Sequence, residues 1–281
     1  MIQSFVLDSK DFNPTHTLEC GQFFRYQKQE DGTYLVTSGS HRAKISKQEG
    51  DYRVDCDDAG FFKRFFDVST DYGVFKRRLS RISYLKEPIK YGSGIRLLRQ
   101  PLFETIISFI ISQNNNIKRI QGIIERICQK CGTKQKDAFG EFFAFPTQSQ
   151  LKILSEADYK TLGLGYRAKY LAQAVPLLTN SFCDQLQTSS TEIARKMLIA
   201  LPGIGRKVAD CILLFGLSRG NVFPVDVWVE RVFFAYFEVE SIQYPQIKKS
   251  REKMSEFFVQ KFGSLSGLVQ QYLFYSMREN S

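Results

Sequence analysis

Lys207 and Asp226 are the two residues whose types and settings suit covalent chemistry on a sugar. Lys207 stands at the start of a helical pattern. We expect the helix N-terminus, desolvation and neighbouring cations to lower its pKa below the ordinary value of about 10.4, which would make its amine a nucleophile. Asp226 follows Pro224 and Val225 in a predicted first helical turn. A carboxylate facing an amine across a cleft suits a reaction that builds positive charge on a sugar ring, although Asp226 alone would be an ordinary N-cap.

The segment before Lys207 is typical of two helices joined by a tight turn. Apolar residues with helical spacing stop at Pro202 and resume beyond Lys207. We expect Gly203 and Gly205 to adopt backbone angles closed to other residues and to leave peptide N–H groups uncovered at a helix N-terminus. With the positive charge of Arg206 alongside, the turn predicts a phosphate-binding site. A helical hairpin of an ordinary all-α protein is the alternative.

Three residues outside this hairpin could recognise nucleic-acid bases. Asn114 belongs to a run of asparagines whose amides can donate to and accept from base edges, and Arg119 could reach the same surface. Tyr166 lies on a second glycine turn and could insert into a base stack. Each has an ordinary alternative: a polar helix end, a solvated charge or a packed ring. Together with the hairpin they indicate an enzyme that turns a nucleotide out of the duplex into a pocket.

Length and charge fit such an enzyme and exclude several classes of protein. The chain has 281 residues, 43% of them hydrophobic, so it can form one large domain or two ordinary ones. Its net charge of +10 and pI near 9.3 suit a polyanionic partner. No apolar run approaches membrane-spanning length, and residues 1–4 lack the pattern of a signal peptide. We therefore expect a soluble intracellular protein without a membrane partner.

The histidines and cysteines argue against metal and Ser-His-Asp catalysis. His16 and His41 are the two histidines. Among six cysteines only Cys128 and Cys131 are close in sequence, with no second pair to complete a zinc site. We therefore expect free thiols in a reducing compartment and no cofactor.

The elements that must position these residues begin with an antiparallel sheet. Four runs with strand patterns are separated by turn residues, and they cover residues 2–7, 33–37, 42–46 and 52–55. Four phenylalanines are spaced to form an apolar helix face that packs on this sheet: Phe61, Phe62, Phe65 and Phe66. We interpret residues 1–94 as a sheet domain that ends in a linker near residues 85–95.

Helical patterns fill the rest of the chain, and no strand is expected after Ile95. The helix predicted at residues 102–111 is apolar nearly all round and should be buried at the centre. Amphipathic helices follow it, among them 117–128, 247–262 and 265–277. The pattern predicts an α+β fold, in which an N-terminal antiparallel β-sheet domain precedes a larger all-α domain of residues 95–281, with the helix-hairpin-helix at about 190–217.

Five collinear motifs resemble the helix-hairpin-helix DNA glycosylases, and within them the 8-oxoguanine DNA glycosylase/AP lyase branch. The hairpin at 201–211 with residues 224–226 forms one motif, and the others lie at 20–25, 112–119, 162–170 and 270–274. The resemblance runs from about residue 18 to the C-terminus. It implies that the helical part forms two subdomains, with a lesion pocket in the cleft between them.

The resemblance implies a bifunctional enzyme of base excision repair. Lys207 would attack the anomeric carbon of the sugar, expel 8-oxoguanine or a related oxidised purine and form a Schiff base, after which β-elimination nicks the strand. Asp226 would stabilise the sugar cation. The Gly21 carbonyl would accept a hydrogen bond from the ring N–H that guanine gains on oxidation. The remaining implied pocket residues are Phe274, which stacks on the base, Gln270, which reads its pairing edge, Cys211 and Phe215.

The resemblance also implies contacts with duplex DNA around the pocket. Asn114, Arg119 and Arg167 would hold the cytosine opposite the lesion, and Tyr166 would be the wedge. The turn residues Gly203, Gly205 and Arg206 would contact phosphate. Backbone carbonyls around Ile199, Leu201 and Ile204 could bind a monovalent cation. We expect a monomer that acts on 8-oxoguanine opposite cytosine, in the cytoplasm or nucleoid of a prokaryote or the nucleus of a eukaryote.

Two departures and two alternatives accompany the resemblance. Trp228 replaces a histidine of the animal branch, so a phosphate contact is lost or is made by the indole N–H. No cysteine-rich C-terminal segment is present to hold an iron–sulfur cluster. The alternatives are a monofunctional alkylpurine glycosylase, which needs the aspartate but no lysine, and a non-catalytic DNA-binding module. The presence of Lys207 with Asp226 and Gly21 argues against both.

Overall fold

The structure, a computed structural model, describes residues 2–227, 229–230 and 250–279. The prediction for Trp228, and the parts of predicted helices within 231–249, lie outside the described residues. Within those ranges, no helix combines the length and the apolar character needed to cross a membrane.

A five-stranded antiparallel sheet forms the N-terminal part of the chain. Its strands are β1 (Gln3–Leu7), β2 (Tyr26–Lys28), β3 (Tyr34–Ser38), β4 (His41–Gln48) and β5 (Asp51–Cys56). The spatial order is β1-β5-β4-β3-β2, so β3 to β5 form the predicted meander and β1 pairs with β5. The edge strand β2, which pairs with β3, was not predicted. The sheet prediction is confirmed.

An aromatic helix, α2 (Ala59–Phe65), covers this sheet as predicted. Phe62, Phe65 and Phe66 are buried in one cluster with the strand residues Val36 and Val54. Each large apolar side chain contributes roughly 1.5–3 kcal/mol when it leaves water, so these rings hold the sheet and the helix together. A short helix, α1 (Pro14–Leu18), precedes the turn that leads into β2.

Helices make up most of the remaining described chain. They are α3 (Tyr72–Leu79), α4 (Lys86–Tyr91), α5 (Leu102–Ser112), α6 (Ile117–Cys131), α7 (Gln148–Lys152), α8 (Glu156–Thr161), α9 (Arg167–Ala174), α10 (Asn180–Thr188), α11 (Thr191–Ile199), α12 (Arg206–Gly216), α13 (Arg251–Phe262) and α14 (Ser266–Glu279). Three-residue 3-10 helices lie at Ser83–Leu85, Val175–Leu177 and Gly263–Leu265. The predicted division of the chain at residue 94 falls between α4 and α5.

Two local predictions are wrong. The predicted linker contains α4, which forms because Ile89 is buried against the C-terminal helix and Pro88 lies in the first turn, where a proline is tolerated. A hairpin of β6 (Lys134–Asp137) and β7 (Gly140–Phe143) occurs where no strand was expected. Its first strand reads Lys-Gln-Lys-Asp, so it carries no apolar alternation for a sequence pattern to detect.

The central helix α5 joins the two parts of the fold. Its apolar residues are buried as predicted, and it packs against α12, α6 and α9. It also contains the buried Glu104, whose carboxylate accepts a hydrogen bond from the Gly39 amide at 2.7 Å. Gly39 lies in the turn between β3 and β4, so this bond ties the sheet to the helical core.

The C-terminal helix α14 returns to the N-terminal part of the chain. It packs against α4. Its residues Leu273 and Tyr275 share a buried cluster with Cys20, which follows α1. This packing brings α14 beside residues 19–21.

The hairpin that joins α11 to α12 depends on one glycine. Gly203 has φ +79°, and a Cβ there would lie 2.4 Å from the Cγ atom of Tyr170. Gly205 has φ −90° and open space around it, so the expectation that it needs an angle closed to other residues is wrong. It serves as the N-cap of α12 without a side-chain hydrogen bond, and the first N–H groups of that helix therefore stay uncovered by a cap side chain.

Substitution of Gly203 by Ala should destabilise the protein by about 2–4 kcal/mol, because the added Cβ meets both backbone strain and Tyr170. Gly205→Ala is the matched control and should cost less than about 1 kcal/mol, since nothing lies near its Cβ. Urea unfolding followed by circular dichroism measures both changes. Equal midpoints for the two variants would contradict this account of the hairpin.

Candidate active site

Lys207 lies in the first turn of α12 and is half-buried. One helical turn later on α12 is Cys211, which is buried and makes a side-chain hydrogen bond with Lys207. The half-buried carboxylate of Asp226 acts electrostatically on both residues. The structure therefore brings together the amine and the carboxylate that the sequence predicted to face each other.

The pKa of Lys207 is raised above the ordinary lysine value, so the prediction that its surroundings lower the pKa is wrong for the free protein. The neighbouring Cys211 is the largest cause, Asp226 adds to it, and burial opposes both. Burial raises the pKa of the Cys211 thiol itself to about 11. At neutral pH that thiol is uncharged, and the charge that then favours the ammonium form is the Asp226 carboxylate.

Asp226 also begins a helix, as its alternative interpretation predicted. Its carboxylate accepts a hydrogen bond from the Val229 amide at 3.0 Å, and its carbonyl accepts one from Glu230 at 2.9 Å. The carboxylate is thus an N-cap and a neighbour of Lys207 at once. Capping fixes the side chain in one orientation, which keeps the charge beside the amine.

Gly21 and Phe274, two residues of the predicted lesion pocket, lie against each other. Gly21 has φ +84°, and a Cβ there would lie 3.4 Å from the ring atom Cε1 of Phe274. Arg278 lies beside them, with its Nη1 atom 3.4 Å from the same point. The backbone at Gly21 is therefore open to close approach on the side of the Phe274 ring.

Three other predicted pocket residues are buried. The Oε1 atom of Gln270 accepts a hydrogen bond from Gln271 at 2.7 Å. Phe215 lies one turn after Cys211 on α12 and stacks on Phe109 with ring centroids 5.5 Å apart. Cys211 touches Lys207, so α12 carries both the amine and part of the predicted pocket wall.

The residues predicted to hold the opposite cytosine come together around the loop after α5. Arg167 is buried, and it donates hydrogen bonds to the carbonyls of Gln113, Asn114 and Leu164. Arg119 is exposed and donates to the Gly163 carbonyl at 3.3 Å. Arg167 therefore holds the loop from behind, whereas Arg119 lies on the surface.

Asn114 and Tyr166 lie at the exposed edge of this group. Asn114 has φ +45°, a left-handed conformation that asparagine tolerates better than most residues. The side chain of Tyr166 is 52% exposed, the guanidinium of Arg167 lies 4.4 Å from its ring centroid, and its hydroxyl donates to the Gln113 carbonyl at 3.3 Å. Both side chains face solvent from a fixed backbone.

Arg206 is paired with carboxylates. Its Nη1 atom lies 2.5 Å from Glu252 on α13, and its Nε atom lies 3.4 Å from the buried Asp210 on α12. Arg195 of α11 bonds to the same Asp210 at 2.7 Å. A chain of ion pairs thus links α11, α12 and α13 next to the hairpin.

Sequence reasoning missed two residues that shape the site. Asp210 fixes α12 between Arg195 and Arg206, and its only signal was its place within the motif that contains Lys207 and Cys211. Arg278 follows Phe274 by four residues, and helical spacing alone would have put both on one face. Within the described ranges, no group of three or more His, Cys, Asp or Glu residues could hold a metal ion.

Comparisons with known proteins agree with this architecture. Residues 4–106 match the family described as 8-oxoguanine DNA glycosylase, N-terminal domain, and residues 107–258 match the HhH-GPD superfamily base excision DNA repair proteins. The N-glycosylase/DNA lyase OGG1 of Arabidopsis thaliana is 31% identical over 278 residues, which cover 92% of this chain and 75% of the plant protein.

Two solved structures of one bacterial protein are similar over nearly the whole chain. The 8-oxoguanine glycosylase/lyase of Clostridium acetobutylicum, in complex with double-stranded DNA containing cytosine opposite 8-oxoguanine, has a TM-score of 0.90 at 34% identity and covers 100% of this chain and 98% of that one. Its apo form has a TM-score of 0.88 at 34% identity and covers 98% of each chain.

Substitution of Asp226 by Asn should lower the pKa of Lys207, because a neutral amide no longer favours the ammonium form. Asparagine is also a good N-cap, so the helix should stay intact. Competitive acetylation between about pH 8 and pH 11, read at Lys207 by mass spectrometry, measures the titration. Glu230→Gln is the control, because Glu230 pairs with Arg251 at 2.8 Å. An unchanged pKa in Asp226→Asn would contradict the pairing.

Proposed function

The chain belongs to the HhH-GPD superfamily of base excision DNA repair proteins, with the N-terminal domain of the 8-oxoguanine DNA glycosylases, and we propose that Lys207 and Asp226 carry out its reaction. It is an N-glycosylase and DNA lyase that acts in base excision repair. The observation that carries the assignment of residues is the half-buried amine of Lys207 at the start of α12, which interacts electrostatically with the Asp226 carboxylate.

The substrate is 8-oxoguanine in duplex DNA, opposite cytosine, and we extend it to related oxidised purines. The chain's charge of +10 suits this polyanion. An enzyme that works on a base must take it out of the stack, so the lesion has to enter a pocket. The contact between Gly21 and Phe274 supports a lesion pocket beside these two residues.

The proposed reaction begins when the amine of Lys207 loses its proton. The free amine attacks the anomeric carbon of the sugar, the glycosidic bond breaks, and the base leaves with the bonding electrons. The Asp226 carboxylate stabilises the positive charge that develops on the sugar. The sugar ring then opens: its C1′–O4′ bond breaks, the ring oxygen takes the bonding electrons and a proton, and the amine nitrogen forms the Schiff base with C1′. The Schiff base permits β-elimination, which removes a proton from C2′ and breaks the 3′ carbon–oxygen bond, so that the 3′ phosphate leaves.

Recognition of the lesion is proposed to depend on the backbone at Gly21. Its carbonyl accepts a hydrogen bond from the ring N–H that oxidation adds to guanine. Unoxidised guanine has an acceptor, N7, at that position and cannot make this bond. Phe274 stacks on the base, and Gln270 reads its pairing edge. Cys211 and Phe215 are assigned to the α12 side of the pocket.

The opposite cytosine is proposed to lie against the loop after α5. The exposed Asn114 and Arg119 are available to its acceptors. Arg167 supports this recognition through the loop, since its own hydrogen bonds go to the Gln113 and Asn114 carbonyls. Tyr166 fills the space that the flipped nucleotide leaves.

The hairpin is proposed to bind a phosphate through the uncovered N–H groups beside Gly203 and Gly205. Arg206 joins this contact by exchanging Glu252 for the phosphate. A monovalent cation is proposed at the backbone carbonyls of Ile199, Leu201 and Ile204. Ile199 ends α11, where carbonyls have no partner within the helix, and the Leu201 carbonyl accepts a hydrogen bond from the Ile204 amide at 3.2 Å but has a second lone pair for an ion. Since the substrate is DNA, we propose an intracellular location, in the nucleoid of a prokaryote or the nucleus of a eukaryote.

Borohydride trapping tests the proposed roles directly. Wild-type protein should form a covalent adduct with a duplex that contains 8-oxoguanine opposite cytosine, because borohydride reduces the Schiff base to a stable amine. Lys207→Gln should form none, and Asp226→Asn should slow adduct formation by at least about a hundredfold. Lys196→Gln on α11 is the control, because it removes the same charge from an exposed site. Wild-type protein that bound the duplex without trapping would overturn the proposal.

The role of Arg206 has its own test. Glu252→Gln should strengthen DNA binding by about threefold to tenfold, because it releases Arg206. The plot of log affinity against log salt concentration should become steeper by the amount expected for about one more phosphate contact. Glu256→Gln removes the same charge from the same helix but pairs with Lys253 at 3.1 Å. Anisotropy of a labelled duplex measured against salt compares the two. Equal effects would mean that net charge alone matters and that Arg206 makes no phosphate contact.

A further inference from the structure

We propose that Arg278 is a positioning residue for lesion recognition, which holds the turn at residues 19–21 against Phe274 and so fixes the Gly21 carbonyl. The inference rests on the proposed function of the Gly21–Phe274 contact. It adds a residue on the last turns of α14 to the group that distinguishes the lesion from guanine.

Arg278 contacts both this turn and the Phe274 ring of its own helix, α14. Its Nη2 atom donates a hydrogen bond to the Glu19 carbonyl at 2.5 Å, across a separation of 259 residues in the chain. Its guanidinium carbon lies 5.7 Å from the ring centroid of Phe274, one helical turn earlier. A single side chain therefore contacts the backbone that leads into Gly21 and the ring that faces Gly21.

The turn is anchored on both sides of Gly21. Before it, the buried Cys20 donates from its thiol to the Thr17 carbonyl. After it, the buried amide of Gln22 donates to the carbonyls of Thr17 and Arg96, each at 2.8 Å. These bonds tie the turn to α1 and to the segment before α5, whereas the bond from Arg278 ties it to the helix that carries Phe274.

Glu19 is the C-cap residue of α1, and its backbone N–H donates to the Thr15 carbonyl at 3.0 Å, which leaves its own carbonyl beyond the helix. The last carbonyls of a helix have no partner within the helix, and a positive charge there is favourable. The side chain of Glu19 is engaged elsewhere, since its carboxylate accepts the Tyr34 hydroxyl at 2.5 Å and lies 3.7 Å from Lys28. Arg278 thus binds the backbone of Glu19, whereas Lys28 pairs with the Glu19 side chain.

Removal of Arg278 should reduce the rate of reaction only when the substrate still carries its base. Without Arg278, the Gly21 carbonyl is no longer held in register with the Phe274 ring, and a small misplacement of a recognition group reduces the rate of reaction. Attack on a sugar that has already lost its base needs Lys207 and Asp226 but no contact with Gly21. Arg278 should therefore matter for 8-oxoguanine and not for an abasic site.

The test compares Arg278→Ala, Arg278→Lys and the control Lys28→Met on two duplexes. Arg278→Ala should lower single-turnover excision of 8-oxoguanine about ten- to a hundredfold. It should lower the preference for 8-oxoguanine over guanine, and trap on an abasic-site duplex within about twofold of wild type. Arg278→Lys should restore part of the loss because it keeps a charged donor, and Lys28→Met should excise normally.

Two results would overturn the inference. One is normal excision by Arg278→Ala. The other is an equal loss on both duplexes, which would show that Arg278 maintains α14 in general, and thermal unfolding of the same variants would record that loss of stability. Failure of the wild-type protein to trap on either duplex is a separate outcome, because it overturns the proposed function of Lys207 itself and the inference with it.

Discussion

The electrostatic pairing of Lys207 with Asp226 is the interaction on which the rest of the site depends. Lys207 lies in the first turn of α12, and Asp226 is the N-cap of a following helix, so both are held at the start of a helix. Asp226 is fixed further because the same carboxylate caps its helix through Val229. Groups held on helices reach a productive geometry more accurately than groups on loops. The structural role of Asp226 and its chemical role therefore support each other.

The start of α12 must be fixed for this pairing to persist, and three contacts do so. Gly203 lets the hairpin approach Tyr170 closely, and the buried Asp210 bonds to Arg195 of α11 at 2.7 Å. Removing one partner of a buried ion pair costs several kcal/mol, on the order of 3–5, so this link resists rotation of α12. The apolar helix α5 packs behind. The hairpin thus fixes where α12 begins, and with it the position of Lys207 along the helix axis. Asp210 fixes the rotation of α12 about that axis.

Much of the fold followed from patterns in the sequence, and its failures have physical reasons. The meander, the phenylalanine face and α5 were predictable because burial on one side leaves a period in the sequence. The β6–β7 hairpin has no buried face, so its sequence carries no such period. The site residues could be named from motifs, but the direction of the Lys207 pKa could not. It depends on where Cys211 and Asp226 lie in space, whereas the helix N-terminus, desolvation and neighbouring cations indicated a lowered pKa. The pairing of Arg206 with Glu252, from a distant helix, was equally invisible in the sequence.

A raised pKa at the proposed nucleophile is consistent with the chemistry assigned to Asp226. Before reaction the carboxylate favours the ammonium form of Lys207, which suits a site that receives a polyanion. As the glycosidic bond weakens, positive charge appears on the sugar beside the same carboxylate. A second cation near Lys207 lowers its pKa, so charge development on the sugar favours release of the proton from the amine. Cys211 remains a neutral thiol under these conditions because its pKa is about 11. One carboxylate shared by two positive charges would therefore couple formation of the nucleophile to departure of the base.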